Sequence, residues 1–322
     1  MKRNDFFKLA LAAGIGSKSV FAQKLKYLPE GIPGPLPRRP LGKTGEKLSI
    51  IAFGGNIIKG EEQPEADRMV REAYEAGVNY FDVAPAYGNA EVLMGPPLEP
   101  FREKIFLSCK TQKRDRAGSQ AELEQSLRRL HTDYFDLYQH HYLNSKEDID
   151  KVFGPNGAME TLVRAKEKGQ ARYLGFSAHT VEAAFAAMDH FDFDTIMLPL
   201  HYTSWYKGNF GPQVLEKALG KNMGIIAIKP GACCPRERGE VRDEYKKCWY
   251  RPFKTEEEIA RSYYFTLSLP VTAAIPPQEE KLFKLAVKVA HAFIPLAESE
   301  KEELRKEALK GDSIFKYPAW PV

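Results

Sequence analysis

The stretch Val78-Asn79-Tyr80-Phe81-Asp82-Val83-Ala84-Pro85-Ala86-Tyr87-Gly88-Asn89-Ala90-Glu91 reads as an apolar strand that ends in a carboxylate, followed by a turn that carries a tyrosine five positions later. Two further strand-like runs end the same way. Ile105-Phe106-Leu107-Ser108-Cys109-Lys110 ends in a lysine, and Tyr134-Phe135-Asp136-Leu137-Tyr138-Gln139-His140-His141 ends in a histidine pair. Three successive strands thus deliver a polar group at their C-terminal ends. In a closed parallel barrel all such ends open onto one face, where reactive groups converge.

Outward from this stretch, strand and helix signals alternate along the chain. Strand-like runs fall at 48–55, 78–84, 105–110, 134–141, 171–177, 195–202, 224–231 and 271–277. Helical segments at 65–76, 119–130, 156–168, 180–188, 212–219, 255–267 and 279–290 lie between or after them. The first opens on Pro64 and stops before Gly77, the expected proline-first, glycine-last punctuation. Ser119 and Glu122 have the spacing of a capping box, and Glu256–Glu258 put acids at a helix N-terminus, where the helix dipole favours them. Eight strand–helix units predict an α/β fold of the (β/α)8 TIM barrel type. A Lys43-Thr44-Gly45 turn between apolar flanks predicts an N-terminal hairpin plugging one barrel end, and an extra amphipathic helix is expected at 297–309. A doubly wound open sheet usually carries a glycine-rich turn after its first strand; Phe53-Gly54-Gly55-Asn56 lacks that spacing.

The 322 residues suffice for one large domain with a full core. With 47 basic and 43 acidic residues the net charge is +4, and no basic cluster is interleaved with aromatics, which argues against a nucleic-acid partner. The N-terminus differs from the rest. Lys2-Arg3, a short run from Phe6 to Gly16, and Val20-Phe21-Ala22 follow the order of a charged region, an apolar region and a small-residue cleavage site. This pattern resembles a twin-arginine export signal, with Lys2 where an arginine is expected. The expected organisation is a signal peptide at 1–22, a proline- and glycine-rich linker at 23–40 and the barrel at 41–322. A periplasmic or secreted location follows, with the N-terminus contacting export machinery; without a working signal the location is cytoplasmic. No segment is apolar for long enough to be a stable membrane anchor. Cys109, Cys233, Cys234 and Cys248 form no disulfide framework, although Cys248 is open to pairing with Cys233 or Cys234 in an oxidising compartment.

Four motifs in order resemble the aldo-keto reductase family over nearly the whole mature length. They are Asp82-x-Ala84-x-x-Tyr87-Gly88-Asn89-Ala90-Glu91, Lys110 closing the third strand, Asp136-Leu137-Tyr138-x-x-His141, and Leu174-Gly175-Phe176-Ser177. The resemblance implies a nicotinamide-dependent carbonyl reductase with Asp82, Tyr87, Lys110 and His141 as its catalytic groups. The chemistry is coherent by itself. Carbonyl reduction needs a hydride to carbon and a proton to oxygen. The Tyr87 phenol can donate that proton, but its ordinary pKa of about 10 makes it sluggish at neutral pH. A nearby Lys110 ammonium is expected to lower that pKa, Asp82 to keep the lysine charged, and His141 to hold the substrate oxygen for hydride transfer. Singly, each residue has a plainer reading: a turn-capping Asp, a packing Tyr, a solvent-reaching Lys. Side chains alternate across a strand, so one of His140 and His141 is expected to face the interior and the other the helices; the Asp-Leu-Tyr-x-x-His spacing of the resemblance implies that His141 is the inward one and that His140 packs.

The same resemblance implies that Ser177 holds the nicotinamide carboxamide, with its usual asparagine neighbour replaced by Ala178 and a sixth-strand glutamine by Met197. It assigns Lys229-Pro230-Gly231-Ala232 to the dinucleotide pyrophosphate. The loop after the last strand, Ile275-Pro276-Pro277-Gln278-Glu279, lacks the basic residue that binds a 2′-phosphate, and Lys281 or Lys284 would have to substitute. The cofactor is therefore NADP or NAD. The partner is a small-molecule carbonyl or alcohol substrate, with Asn56, Tyr142, His201 and Trp205 as lining candidates, alongside Tyr202 and Tyr206. Two competing readings remain. His140, His141, His179 and His201 lie near strand ends as zinc ligands do in barrel hydrolases, but no carboxylate cluster completes a site. Replacement at 178 and 197 suits a non-catalytic nucleotide-binding barrel acting as a sensor or partner-binding protein.

Overall fold

The structure, a computed structural model, describes residues 35–242 and 244–319. The export signal and most of the linker lie outside the described residues.

Strand β1 (Arg38–Pro40) pairs antiparallel with β2 (Lys47–Ser49). The first of these residues fall in the segment read as linker, so the hairpin begins earlier than expected. Eight parallel strands then follow: β3 (Phe53–Gly54), β4 (Tyr80–Asp82), β5 (Phe106–Thr111), β6 (Phe135–Leu143), β7 (Ala171–Ala178), β8 (Thr195–Pro199), β9 (Gly224–Ile228) and, after a small β10 (Ala232–Cys234)/β11 (Arg251–Pro252) hairpin, β12 (Ala273–Ile275). The ring closes just ahead of β3. Ile51 bridges Ala274 in parallel, Ala52 N–H donates to Ala274 O at 3.0 Å and Ala274 N–H donates to Ile50 O at 2.9 Å. Every strand read from the sequence is present, and the fold is the (β/α)8 barrel.

Alternation across the strands builds two cores. Tyr80, Phe106, Leu137 and Ile226 fill the barrel interior. Their neighbours Phe81, Leu107, Tyr138 and Ile225 face the helix layer. The hairpin plugs the N-terminal end. Leu41 is wholly buried, and a Cβ on Gly224 would come within 2.4 Å of its Cδ1. Lys43 N–H donates to Asn222 O, and Thr272 Oγ1 donates to Pro40 O. With that end sealed, access to the barrel is from the C-terminal end.

The helices are α1 (Gln63–Glu75), α2 (Ala90–Leu98), α3 (Arg116–Arg129), α4 (Lys146–Phe153), α5 (Ala158–Glu167), α6 (Val181–His190), α7 (Tyr202–Tyr206), α8 (Pro212–Gly220), α9 (Glu256–Ser268), α10 (Glu280–His291) and the extra α11 (Glu298–Ala308). Two findings correct the sequence reading. Helix α3 starts a turn early because Asp115 caps it, accepting from Gly118 N–H at 2.8 Å. Ser119 is instead buried and donates to Thr161 Oγ1. Helix α2, which the periodicity did not reveal, carries Pro96 and Pro97 near its end. Proline lacks the N–H that would bond four residues back, and the Gln63 side-chain amide donates to the Leu93 carbonyl that Pro97 leaves free. All four cysteines are free.

Candidate active site

A cavity of about 360 Å³ opens at the C-terminal ends of the strands, within the size range of small-molecule sites. Asp82 ends β4 and is buried. Its Oδ2 accepts from Lys110 Nζ at 2.5 Å and its Oδ1 from Ser108 Oγ at 2.6 Å. Lys110, wholly buried on β5, also donates to Val83 O at 3.2 Å. The ammonium lies 5.1 Å from the centre of the Tyr87 ring. Tyr87 sits on the short helical turn Pro85–Tyr87, which Gly88 ends at φ +63 and ψ −121, a conformation open to glycine. The Tyr87 and His141 rings meet edge-on at 5.7 Å. The motif thus divides its labour: Asp82 and Tyr87 serve the cavity, while Glu91 is buried in the helix layer, accepting from Ser126 Oγ and Arg129 Nη1.

The end of β6 is held from outside the barrel. Arg114 donates from Nη1 to His141 O and from Nη2 to Tyr142 O, both at 2.9 Å, while its Nε bonds Asp148. Tyr142, at φ +60, donates its N–H to Ser177 Oγ at 2.7 Å. These contacts leave His141 facing the cavity. His140, one residue earlier, is buried against Phe153 and Phe193 in the helix layer.

Burial and neighbouring charges set the protonation states. Burial would push the Lys110 ammonium down, but Asp82 and Tyr87 outweigh it and the pKa is raised. Burial raises the Tyr87 phenol above its ordinary value, against the pull of Lys110. This reverses the expected lowering: a half-buried phenolate loses more hydration than one ammonium, already neutralised by Asp82, returns. Tyr87 is a protonated donor at neutral pH. Burial, then Lys110, Lys229 and Arg114, hold His141 well below its usual range, so it is a neutral imidazole. A neutral imidazole beside a phenol can hydrogen-bond a carbonyl oxygen while the phenol protonates it.

Of the other nominated residues, Asn56, Tyr142, Ser177 and Lys229 line the cavity. Six do not. Pro230 O accepts from Ser262 Oγ, Gly231 O accepts from Phe253 N–H, and Ala232 is buried in β10 opposite Pro252. That loop is consumed by its own hairpin. Lys281 is exposed and pairs with Glu244 at 3.6 Å. His201 is buried with its Nε2 2.7 Å from Ser204 Oγ. Trp205 packs edge-on against Phe265 at 6.0 Å. Tyr202 and Tyr206 also pack on Phe265, because residues 202–206 coil into α7 and turn to the α9 side.

The sequence reading missed Trp249 and Tyr250, whose loop lies between β10 and β11, and Gln278 after β12. An adjacent aromatic pair in an otherwise charged loop was the available signal. Met197 is on the cavity wall and buried. Among the described residues no group of three or more His, Cys, Asp or Glu side chains could hold a metal ion, and no helix is long and apolar enough to cross a membrane.

The chain is similar to Aldo-keto reductase YhdN of Bacillus subtilis, at 28% identity over 62% of this chain and 61% of that protein. It is similar to L-galactose dehydrogenase of Arabidopsis thaliana, at 25% identity over 60% and 64% respectively. The chain spans about three-fifths of the length of these curated relatives. Among solved structures, the holo form of aldo-keto reductase AKR11C1 from Bacillus halodurans shares the fold, with a TM-score of 0.68 at 22% identity over 87% of this chain and 98% of that one. A sequence model of the Aldo/keto reductase family matches residues 50–264, and with that the chain belongs to this family.

Proposed function

We propose that the protein is a nicotinamide-dependent oxidoreductase that reduces an aldehyde or ketone to the alcohol. The observation that carries this reading is the convergence of Asp82, Tyr87, Lys110 and His141, from three strand ends and one turn, around a single cavity. Family membership supports it.

A reduced nicotinamide, when bound, supplies the hydride. The cavity suits its ring: Ser177 accepts from Tyr142 N–H, so its own hydroxyl hydrogen is free to donate to a carboxamide oxygen. Met197, beside Ser177 on the wall, offers that amide no hydrogen bond of the kind a glutamine would. Tyr87 donates the proton to the substrate oxygen, and His141 orients that oxygen through a neutral N–H. Lys110 steadies the phenolate left behind, and Asp82 keeps Lys110 charged. The raised Tyr87 pKa keeps the phenol in its proton-donating form at neutral pH. No basic residue of the loop after β12 lines the cavity, so NADP and NAD are both admitted.

The test is nicotinamide oxidation followed at 340 nm across aldehydes and ketones. Tyr87→Phe should lower kcat by about 10²–10⁴-fold, the usual share of a general acid, while still binding dinucleotide. Undiminished turnover in that variant removes Tyr87 as the acid. Dinucleotide binding with no turnover in either protein favours the sensor reading. Export through the N-terminal segment belongs to the same proposal and rests on the order of its charged, apolar and small residues. A mature protein starting elsewhere than Gln23 contradicts the assigned cleavage.

A further inference from the structure

Two lysines serve the cavity, and one of them has a counter-ion. Lys110, beneath the lining, is paired with Asp82. Lys229 is on the wall itself, carried by the turn after β9 at φ +60. Among the described residues no carboxylate pairs with it. Its Nζ lies 2.7 Å from His179 Nε2, and the rings of Phe315 and Trp249 stand 5.4 Å and 5.8 Å away. Asp82 is the one acidic residue on the lining, and its two oxygens are already engaged. Lys229 is therefore the one group on the described lining that can bring a positive charge without a carboxylate beside it.

A cation in such surroundings is expensive to hold unpaired. Burial pushes the Lys229 ammonium down to about 7, and an anion at its side would restore the charged form. His179 is kept neutral by burial and by Lys229, with its Nδ1 buried and without a partner. The neighbouring lining from Gly54, Ile275 and Pro276 carries no ionic side chain either.

We infer that Lys229, backed by His179, forms a subsite for the carboxylate of the substrate, so that the reaction selects an aldehyde-acid or keto-acid over its uncharged analogue. The position argues for the substrate as the source of the anion. The Lys229 charge is felt at His141, whose protonation it helps to suppress, and His141 is the ring proposed to hold the substrate oxygen. The inference rests on the carbonyl-reductase reading above.

The test compares initial rates of the full-length protein on matched pairs, a short aldehyde-acid or 2-oxo acid against its methyl ester, with saturating dinucleotide. The acid should exceed the ester in kcat/KM by about 10- to 100-fold, the range of one hydrogen bond to a charged group. In Lys229→Met that ratio should fall to about one, while Lys229→Arg keeps a preference for the acid. Dinucleotide affinity, from quenching of tryptophan fluorescence, is measured on all three proteins. Equal rates on acid and ester in the unaltered protein overturn the subsite and leave the reductase reading intact. If Lys229→Met weakens dinucleotide binding and slows acid and ester by the same factor, the ammonium serves a cofactor phosphate and the inference is again overturned. Absence of turnover on every carbonyl compound refutes the reductase reading and this inference with it.

Discussion

The buried pair between Lys110 and Asp82 makes a demanding prediction, because its contributions to stability and to chemistry can be separated. The two side chains are 0% and 2% exposed and meet at 2.5 Å. Asp82→Asn keeps the shape but removes the counter-charge, leaving the ammonium with neutral oxygens only, the Val83 carbonyl and at most the new amide. Lys110→Met leaves the carboxylate with the Ser108 hydroxyl. Removing one member of a buried ion pair typically costs about 3–5 kcal/mol, so each single variant should lose that much. Removing both charges at similar volume is often close to neutral; the double variant should lose less than either single one. Chemical denaturation followed by tryptophan fluorescence gives the three values. The double variant should be stable and inactive. The pH sign follows from the raised Lys110 pKa: the pair's stabilisation is complete below about 10.4, the unfolded lysine value, and is lost as pH rises through the higher folded value. Single losses that simply add in the double variant would refute the pairing.

Three further outcomes are expected. His141 is held well below its ordinary range by burial and then by Lys110, so it stays neutral and kcat/KM should show no inflection near 6.5 that His141→Gln abolishes; such an inflection contradicts the neutral imidazole. Gly175→Ala places a Cβ 2.2 Å from Thr195 Oγ1 and should cost about 1–3 kcal/mol as overpacking, part of it recovered by Thr195→Ala; an unaltered denaturation midpoint argues against the β7–β8 register. Met197→Gln puts an amide on the cavity wall next to Ser177 and should tighten dinucleotide binding by about fivefold, the worth of one neutral hydrogen bond; unchanged affinity in a fluorescence titration argues against a nicotinamide ring at Ser177.

The barrel was legible because strand polarity is written locally. An apolar run that ends in Asp82, Lys110 or His141 announces both the strand and the end of it that faces the cavity, and repeated strand–helix units leave few topologies. Alternation showed that His140 and His141 point to opposite faces, and the Asp136-Leu137-Tyr138-x-x-His141 spacing of the family resemblance chose between them. Helix starts were less so: Ser119 and Asp115 both offer a capping oxygen, and only packing against Thr161 took Ser119 inside.

The wall of the cavity was decided by tertiary structure. Trp249 and Tyr250 come from a loop whose path depends on the β10–β11 hairpin, and that same hairpin withdraws Pro230, Gly231 and Ala232 from the cavity. Trp205 and His201 sit next to a strand end in sequence, yet the short helix α7 turns them away. Protonation also depended on the fold, because the Tyr87 pKa is a balance between burial and Lys110 that residue order does not contain. Local periodicity and strand-end chemistry therefore determined the fold and the four convergent groups. Long-range packing decided what surrounds them, since which loop covers a cavity, and how much water it excludes, depends on contacts between residues far apart in the chain.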